Sequence, residues 1–217
     1  MKVIDFSKSN TLLNQFVAEI RDVHVQNDRM RFRRNIERIG EVMAYEISKE
    51  LNYTVRDVKT PLGTAHVSVP HEPLVLGTIL RAGLPFHQGF LNYFDHAENA
   101  FVSAYRKYID EEHFDINVEY IASPDITGKT LILVDPMLAT GGSMELSYRA
   151  MLTKGTPAKV HLVSVIATRQ AVEYIRQSFH NDEHVTLWCA AVDPELNEHY
   201  YIVPGLGDAG DLAFGEK

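Results

Sequence analysis

Cysteine is almost absent from this sequence, and so are long apolar runs. The 217 residues include one cysteine, Cys189, which excludes a disulfide framework within the chain. Cys189 lies in the apolar stretch TLWCAAV, so we predict a buried small hydrophobic residue there rather than a catalytic thiol. No run reaches the roughly 18 apolar residues of a membrane span, and the N-terminal MKVIDFSKSN lacks the apolar centre of a signal peptide. We therefore expect a cytoplasmic protein without a membrane partner.

Positive charge is also scarce. The chain has 21 Lys and Arg against 29 Asp and Glu, a formal net charge of −8. Non-specific binding to nucleic acid needs a basic surface, so no nucleic-acid partner is expected, and any anionic ligand must be held by local groups. The composition, 45% hydrophobic and 23% charged, is that of an ordinary globular protein, and we expect a single domain over residues 1–217.

Two amphipathic helices are predicted within residues 9–51, because apolar residues recur there at helical spacing. The two apolar faces consist of Leu12, Leu13, Phe16, Val17 and Ile20, and of Phe32, Ile36, Ile39, Met43, Ile47 and Leu51. The next segment, 53-YTVRDVKTPLGTAHVSV-69, alternates around a Pro-Leu-Gly turn and predicts a β-hairpin.

The rest of the chain alternates between short apolar runs and helical patterns. The runs are LVLGTIL (74–80), AFVSAY (100–105), LILV (131–134), VHLVSVIA (160–167) and VTLWCAAV (185–192), and helical periodicity appears around 84–94, 143–153 and 169–179. Such runs are typical of strands buried on both faces, so we predict an α/β fold with an open, mainly parallel sheet flanked by helices. Ligands of such sheets bind at the carboxyl ends of the strands, which directs attention to the residues after each run.

The stretch 131-LILVDPMLATGGSMEL-146 places an acid, two glycines and two hydroxyls between a predicted strand and a predicted helix. A loop that enters a helix offers unpaired N–H groups and the positive end of the helix dipole, which together can bind a phosphate. Asp135 would repel that phosphate, so it should face hydroxyl groups instead. These features predict a site for ribose 5-phosphate. The alternative is a simple turn in which Ser143 caps the helix.

Two other motifs are weaker. Gly128-Lys129-Thr130 is similar to the end of a P-loop, but position 123 is Ser rather than Gly, and a strand rather than a helix is predicted to follow. The segment 29-RMRFRR-34 has four arginines, with Phe32 predicted on the core side. A solvated basic face is the default interpretation of this segment, and an effector site for an anionic nucleotide is the alternative.

Three separated motifs resemble those of a known family. LILVDPMLATGGS (131–143) resembles the phosphoribosyl-diphosphate loop of type I phosphoribosyltransferases, and its Asp-Pro pair looks like that of the uracil phosphoribosyltransferases. The tail 197-NEHYYIVPGLGDAGDLAFG-215 resembles the uracil-binding segment of that family, and 79-ILRAGL-84 resembles its pyrophosphate-binding loop. The segment FRRNIERIGEVMAYE (32–46) is more loosely similar to its helical region.

The resemblance implies a pyrimidine-salvage transferase that converts uracil and 5-phosphoribosyl 1-diphosphate into UMP and diphosphate. It implies Mg²⁺ carried by the diphosphate substrate, with no metal ligand on the protein itself, GTP as an effector, and a homo-oligomer, either a dimer or a tetramer. The catalytic residues it implies are Asp135, Arg106 and Asp208. The residues implied to bind phosphoribosyl diphosphate are Arg81, Arg106, Asp135, Pro136, Met137, Leu138, Ala139, Thr140, Gly141, Gly142, Ser143 and Asp208, and those for uracil, in the tail 197–215, are Ile202, Gly207, Asp208 and Ala209.

The segment 107-KYIDEEHFDINVEYIASPD-125 departs from the short acidic flap of the family, so residue roles are not carried over there. We still expect a protruding flap hairpin that closes over the diphosphate, because the reactive C1 of ribose must be shielded from water. Three other functions stay open at this point. They are phosphoribosyl transfer to a purine, RNA-binding regulation by a uracil-linked relative, and nucleotide sensing by an inactive protein of the same fold.

Overall fold

The computed structural model describes residues 1–108 and 114–216, and the side chains of residues 104–108 and 114–118 lie outside that description. The described strands are β1 (Lys2–Asp5), β2 (Tyr53–Thr60), β3 (Gly63–Pro70), β4 (Leu74–Leu80), β5 (Glu98–Tyr108), β6 (Phe114–Ala122), β7 (Thr130–Val134), β8 (Met137–Leu138), β9 (Lys159–Thr168), β10 (Val185–Asp193), β11 (Glu195–Leu196) and β12 (Ile202–Val203). The described helices are α1 (Leu13–Arg21), α2 (Arg29–Ser48), α3 (Gly83–Leu91), α4 (Gly142–Met151), α5 (Arg169–Ser178) and α6 (Ala209–Phe214).

The central sheet has the strand order β1-β10-β9-β7-β4-β5-β6, and the two-residue strand β8 also pairs with β9. All neighbours in this sheet are parallel except β5 and β6, which are antiparallel. The predicted open, mainly parallel sheet is therefore confirmed, and each of the five apolar runs forms one of its strands.

The apolar runs became central strands because both faces of the sheet are covered. Helices α1, α2 and α3 pack on one face, over a core that includes Phe32, Phe86 and Trp188. Helices α4 and α5 pack on the other face, over a second core that includes Met144, Ile175 and the fully buried Cys189. Burial in this second core raises the pKa of the Cys189 thiol, which agrees with its predicted structural role.

The N-terminal region contains both predicted helices and one element that the sequence analysis missed. The Asp28 carboxylate caps α2 by accepting a hydrogen bond from the Arg31 amide at 3.0 Å, and Phe32 is buried as predicted. The missed element is β1, which pairs in parallel with β10 and forms one edge of the sheet. Within the described residues, no helix is long and apolar enough to cross a membrane.

Two long pairs of antiparallel strands accompany the parallel strands. The predicted hairpin around Pro61 is β2 paired with β3, and it forms a separate two-stranded sheet whose side chains are mostly exposed. The second consists of β5 and β6, paired from Phe101 opposite Ala122 to Tyr108 opposite Phe114. This antiparallel pair is the backbone of the predicted flap, while residues 109–113, within the flap segment 107–125, lie outside the described residues.

Candidate active site

The sheet reverses its winding direction at β4. The chain passes from β4 to β5 on one side and later returns to β7 on the other side, so β4 and β7 are neighbours. The loops that follow β4 and β7 therefore leave the same edge of the sheet in adjacent positions. This topological switch point is where ligands of open α/β sheets bind.

The loop after β4 lies close against the end of β7. A Cβ atom on Gly83 would lie 2.2 Å from Thr78 Oγ1 and 3.5 Å from the Val134 carbonyl oxygen, so the space there allows only glycine. The peptide bond between Leu80 and Arg81 is cis. Arg81 follows β4 directly and lies two residues before the start of α3.

The loop after β7 is fixed by its hydrogen bonds to β9. The Asp135 amide donates to the Val163 carbonyl at 3.0 Å, and the Pro136 carbonyl accepts from the Ile166 amide at 3.0 Å. Further along, the Thr168 hydroxyl donates to the Ala139 carbonyl at 2.7 Å. The loop therefore has a defined backbone path before any ligand binds.

Helix α4 begins without a side-chain cap. Its N-cap is Gly141, in the left-handed region with φ +90°, and no side chain in the described residues accepts from the first turn as a cap. Ser143 lies inside that first turn, so the alternative in which Ser143 caps the helix is wrong. Thr140 Oγ1 is 3.5 Å from the Gly142 amide, which is a marginal hydrogen bond. The start of α4 thus presents amide groups and a positive dipole end suited to an anion.

Asp135 lies directly after β7 and is half-buried. Burial raises the pKa of its carboxyl group to about 7, and the weak hydrogen bond from the Met137 amide, at 3.4 Å, acts in the opposite direction. The carboxyl group is therefore near the midpoint of its titration at neutral pH. Hydroxyl donors or a developing positive charge beside it would favour the ionised form.

The C-terminal segment folds over the same edge of the sheet. Asp208 Oδ1 caps α6 by accepting from the Gly210 amide at 2.7 Å and the Asp211 amide at 3.0 Å. Of the predicted uracil contacts, Ile202 and Ala209 are buried in the first core, whereas Gly207 and Asp208 are exposed. Gly207 has a φ of +93° with open space at its Cβ position, so its peptide groups can be approached closely.

Arg81 joins this segment to the loop after β4. Its Nη2 atom lies 3.3 Å from Asp211 Oδ1 and 3.4 Å from the Gly215 carbonyl oxygen, and its Nε atom is buried without a partner in the described residues. Arg33 of α2 donates to the Ala213 carbonyl at 2.7 Å, so α6 is held from two sides. The segment 79–84 and the tail 197–215 are thus in direct contact through Arg81. The close packing at Gly83 brings the loop 131–143 beside them.

The arginine-rich segment 29–34 is not simply a solvated basic face. Besides Arg33, Arg31 makes two hydrogen bonds to Glu19, at 2.8 and 3.0 Å, and Arg34 pairs with Glu37 at 2.6 Å. Arg31 and Arg34 remain 43% and 44% exposed, so the face is solvated as predicted, but its arginines also have specific partners. Arg31 joins α2 to α1 and Arg33 joins α2 to α6, whereas the Arg34 pair lies within α2.

Arg21 and Asp193 form a contact that the sequence analysis missed. The Arg21 guanidinium donates to both carboxylate oxygens of Asp193, at 2.8 Å each, and both side chains also bind the backbone of Gly205. The two residues are 172 positions apart, so no local pattern links them. An arginine at the end of α1 and an acid directly after a buried strand were the only signals in the sequence.

Arg106, predicted to contact the diphosphate, belongs to β5, where its backbone lies opposite Ile116. Its side chain lies outside the described residues. Within those residues, no three His, Cys, Asp or Glu side chains are grouped so that they could hold a metal ion.

Comparison with known proteins identifies the family. The family model described as "Uracil phosphoribosyltransferase" matches residues 7–216. The chain belongs to the uracil phosphoribosyltransferase family. A uracil phosphoribosyltransferase of Porphyromonas gingivalis is 66% identical over 217 residues, which are 100% of both chains. One from Methanothermobacter thermautotrophicus is 37% identical, over 99% of this chain and 95% of that protein.

A solved structure is similar over the same length. The AQ2163 protein of Aquifex aeolicus matches with a TM-score of 0.86 and 30% identity, over 98% of each chain. The family match and this likeness confirm the type I phosphoribosyltransferase fold that the resemblance implied. The purine, RNA-binding and sensor alternatives gain no support from these relatives, since the named family members are uracil enzymes.

Proposed function

We propose that the protein transfers the 5-phosphoribosyl group from 5-phosphoribosyl 1-diphosphate to uracil, giving UMP and diphosphate. The observation that carries this proposal is the convergence of three loops at one edge of the sheet, joined by the contact between Arg81 and Asp211. Membership of the uracil phosphoribosyltransferase family supports the choice of reaction.

In this proposal the uncapped start of α4 holds the 5-phosphate. The amides of Gly142 and Ser143 and the hydroxyl of Thr140 are the donors nearest to that position along the chain. Asp135 accepts hydrogen bonds from the ribose hydroxyls and stabilises the positive charge that develops at C1 as the diphosphate leaves. Along the chain, the proposed ribose contact at the end of β7 comes before the proposed phosphate contacts at the start of α4. This order matches a ribose 5-phosphate that lies along the loop.

Arg81 and Arg106 are the groups proposed to bind the diphosphate. A guanidinium group makes bidentate contacts with phosphate, and it becomes more effective as charge builds up on the leaving group. The buried, unpartnered Nε of Arg81 is available for such a contact, whereas its Nη2 already binds Asp211. Mg²⁺ is proposed to enter on the diphosphate, because this hard ion prefers phosphate oxygens and keeps several of its waters.

Uracil is proposed to bind against Ile202, Gly207, Asp208 and Ala209. Its edge presents an acceptor, a donor and an acceptor, which peptide groups can match if the backbone approaches closely. Cytosine reverses the donor at its exocyclic position and would leave a buried group unpaired, at a cost of about 1–3 kcal/mol. Purines exceed the volume of a pocket shaped for one small ring.

A panel of bases tests the proposed reaction. We expect UMP from uracil and the corresponding nucleotide from 5-fluorouracil, with no product from cytosine, hypoxanthine or guanine, and no product when a chelator removes Mg²⁺. The measurement is chromatography of nucleotides after incubation with phosphoribosyl diphosphate and each base. IMP or GMP as the main product would contradict the assignment to uracil.

Two substitutions of Asp208 can distinguish the role of its negative charge from its role as the cap of α6. Asp208→Ala removes both, whereas Asp208→Asn keeps an acceptor for the Gly210 and Asp211 amides, since Asn caps helices as well as Asp does. We expect both variants to lose most activity if the carboxylate touches the phosphoribosyl substrate. Full activity of Asp208→Asn would assign the residue a capping role alone.

Self-association, implied by the resemblance as a dimer or tetramer, also belongs to this proposal. It is supported by the hairpin of β2 and β3, where Val55 is 65% and Leu62 is 99% exposed. A two-stranded hairpin is marginal on its own in water, so a second copy of the chain covering its apolar side chains would stabilise it. The GTP effector stays a prediction, and on segment 29–34 it would have to share Arg31 and Arg34 with their carboxylate partners.

The hairpin can be tested separately from the chemistry. We expect Leu62→Asp with Val55→Asp to shift the protein to a smaller species in analytical ultracentrifugation, because two charges would then face an apolar contact. The control is Val23→Asp, which places a charge at another apolar residue that is 62% exposed, outside the hairpin. An unchanged mass in the hairpin variant would show that this surface does not mediate assembly.

A further inference from the structure

Gly205 has both of its backbone hydrogen-bonding groups occupied by side chains from distant parts of the chain. Its amide donates to Asp193 Oδ2 at 2.9 Å, and its carbonyl accepts from Arg21 Nη1 at 2.9 Å. Arg21 and Asp193 are themselves joined by two hydrogen bonds of 2.8 Å. The three residues thus form a closed network in which each group satisfies another.

This network is shielded from water. The Asp193 side chain is 8% exposed and the Arg21 side chain is 22% exposed. Bidentate pairing of arginine with a carboxylate gives directional, charge-assisted hydrogen bonds, and removing one partner would leave the other charge buried. The pair is therefore rigid, and so is the peptide that it holds.

The backbone at Gly205 depends on that support. Gly205 has a φ of +55°, and a Cβ atom there would lie 2.0 Å from the Ile202 carbonyl oxygen, so the chain turns back sharply on itself. Ile202 precedes this turn and Gly207 follows it. Both are residues at which uracil is proposed to bind, so the network lies between the two halves of the base site.

We propose that Arg21 and Asp193 are positioning residues for uracil. They fix the turn at Gly205, and so they set the distance between Ile202 and the exposed peptide groups at Gly207 that read the base. Neither side chain belongs to the loops after β4 and β7, so neither should contact the phosphoribosyl substrate. This inference rests on the proposed function and adds to it a determinant of base binding on α1 and at the end of β10.

The main alternative is that the pair only docks α1 onto β10. A docking role predicts lower stability with unchanged substrate constants. A positioning role predicts a selective rise in the KM for uracil, because the binding energy of a small rigid base depends on the placement of a few peptide groups. The two roles therefore differ in a kinetic constant and not only in stability.

The test uses Asp193→Asn, Asp193→Ala and Arg21→Lys. Asn keeps an acceptor for the Gly205 amide and loses the charge, whereas Ala loses both. Lys at position 21 cannot make the bidentate contact with the Asp193 carboxylate. We expect the KM for uracil to rise roughly tenfold or more in Asp193→Ala and Arg21→Lys, and less in Asp193→Asn. The KM for phosphoribosyl diphosphate should stay within about twofold of the parent value in all three variants.

A matched control is available on the same helix. Arg31 and Glu19 form a bidentate pair that also anchors α1, here to α2, and within the described residues neither side chain hydrogen-bonds to residues 202–207. Glu19→Gln should lower the melting temperature without changing the KM for uracil. Comparison with this control distinguishes a specific effect on uracil binding from the general effect of weakening the packing of α1.

Two results would overturn the inference while leaving the reaction intact. One is that all the variants are active and their KM for uracil stays within about twofold of the parent value. The other is an equal rise in both substrate constants, which would indicate general disorder of the site. If Asp193→Ala does not fold, Asp193→Asn and Arg21→Lys decide the question. Absence of UMP formation by the unmodified protein would instead remove the proposed function, and this inference with it.

Discussion

The Asp135→Asn variant is expected to lose activity and gain stability at the same time. The amide is nearly isosteric with the carboxyl group, but it cannot stabilise positive charge at C1 of the ribose. Removing one preorganised electrostatic contact of this kind costs a factor of roughly 10² to 10³ in turnover. We expect kcat/KM to fall by about that factor while the circular dichroism spectrum stays the same.

The gain in stability follows from the raised pKa. Burial raises the pKa of Asp135 from 3.8 to about 7, so the folded state favours the protonated form. Stability from this group is fully present below about pH 4 and is lost as the pH rises through 7. Asn cannot ionise and avoids the loss, so at pH 8 the variant should be more stable by about 2–4 kcal/mol, and at pH 4 the two proteins should be similar.

Urea unfolding at pH 4 and pH 8 measures this difference, and initial rates measure the activity. The same pKa predicts that kcat/KM of the unmodified enzyme for phosphoribosyl diphosphate falls as the pH drops below about 7, because the free enzyme then loses the carboxylate. Asp28→Asn is the control for the change of an Asp to Asn, since Asp28 caps α2 and Asn retains that cap. Unchanged kinetics in Asp135→Asn would contradict the role given to this residue.

Gly141→Ala should weaken binding of phosphoribosyl diphosphate by roughly tenfold to a hundredfold. Gly141 has a φ of +90°, and an added Cβ would lie 2.7 Å from a ring carbon of Tyr174 and 3.3 Å from Ile175. Alanine would force the loop or α5 to shift, and the amides at the start of α4 would move away from the phosphate. The effect should appear in the KM for phosphoribosyl diphosphate and not in the KM for uracil.

Gly128→Ala is the matched control for backbone strain. Gly128 also has a left-handed conformation, with a φ of +70°, but its Cβ position has no neighbour within 4 Å and it lies before β7. Both variants should lose about 1 kcal/mol or more of stability through the strained backbone. Equal KM values for phosphoribosyl diphosphate in the two variants would show that the space at Gly141 does not matter for binding.

The central sheet could be predicted because its strands are buried on both faces. Runs such as LILV at β7 contain no polar residue, and only a covered strand tolerates that composition. β1 was missed because its sequence KVID is short, with a charge at each end, and its residues stay partly exposed at the sheet edge. The pairing of β8 with β9 was missed because two residues carry no periodicity.

The candidate site could be predicted only where one local segment contains it. The loop after β7 was recognised because its acid, glycines and hydroxyls lie within a few residues. The links of Arg81 to Asp211 and of Arg33 to Ala213 span 130 and 180 positions, so tertiary structure alone reveals them. The partners of the arginines in segment 29–34 were missed for the same reason, since sequence shows the charge of an arginine and not its partner.

The network at Gly205 also constrains the order in which the protein matures on the ribosome. Arg21 is synthesised 172 residues before Asp193, which at about 5–20 residues per second is a delay of roughly 10–35 seconds. During that interval the guanidinium has neither its carboxylate nor the carbonyl that it later binds. Nascent α1 therefore makes this contact only after Asp193 and Gly205 have been synthesised, and the proposed base site cannot form before then.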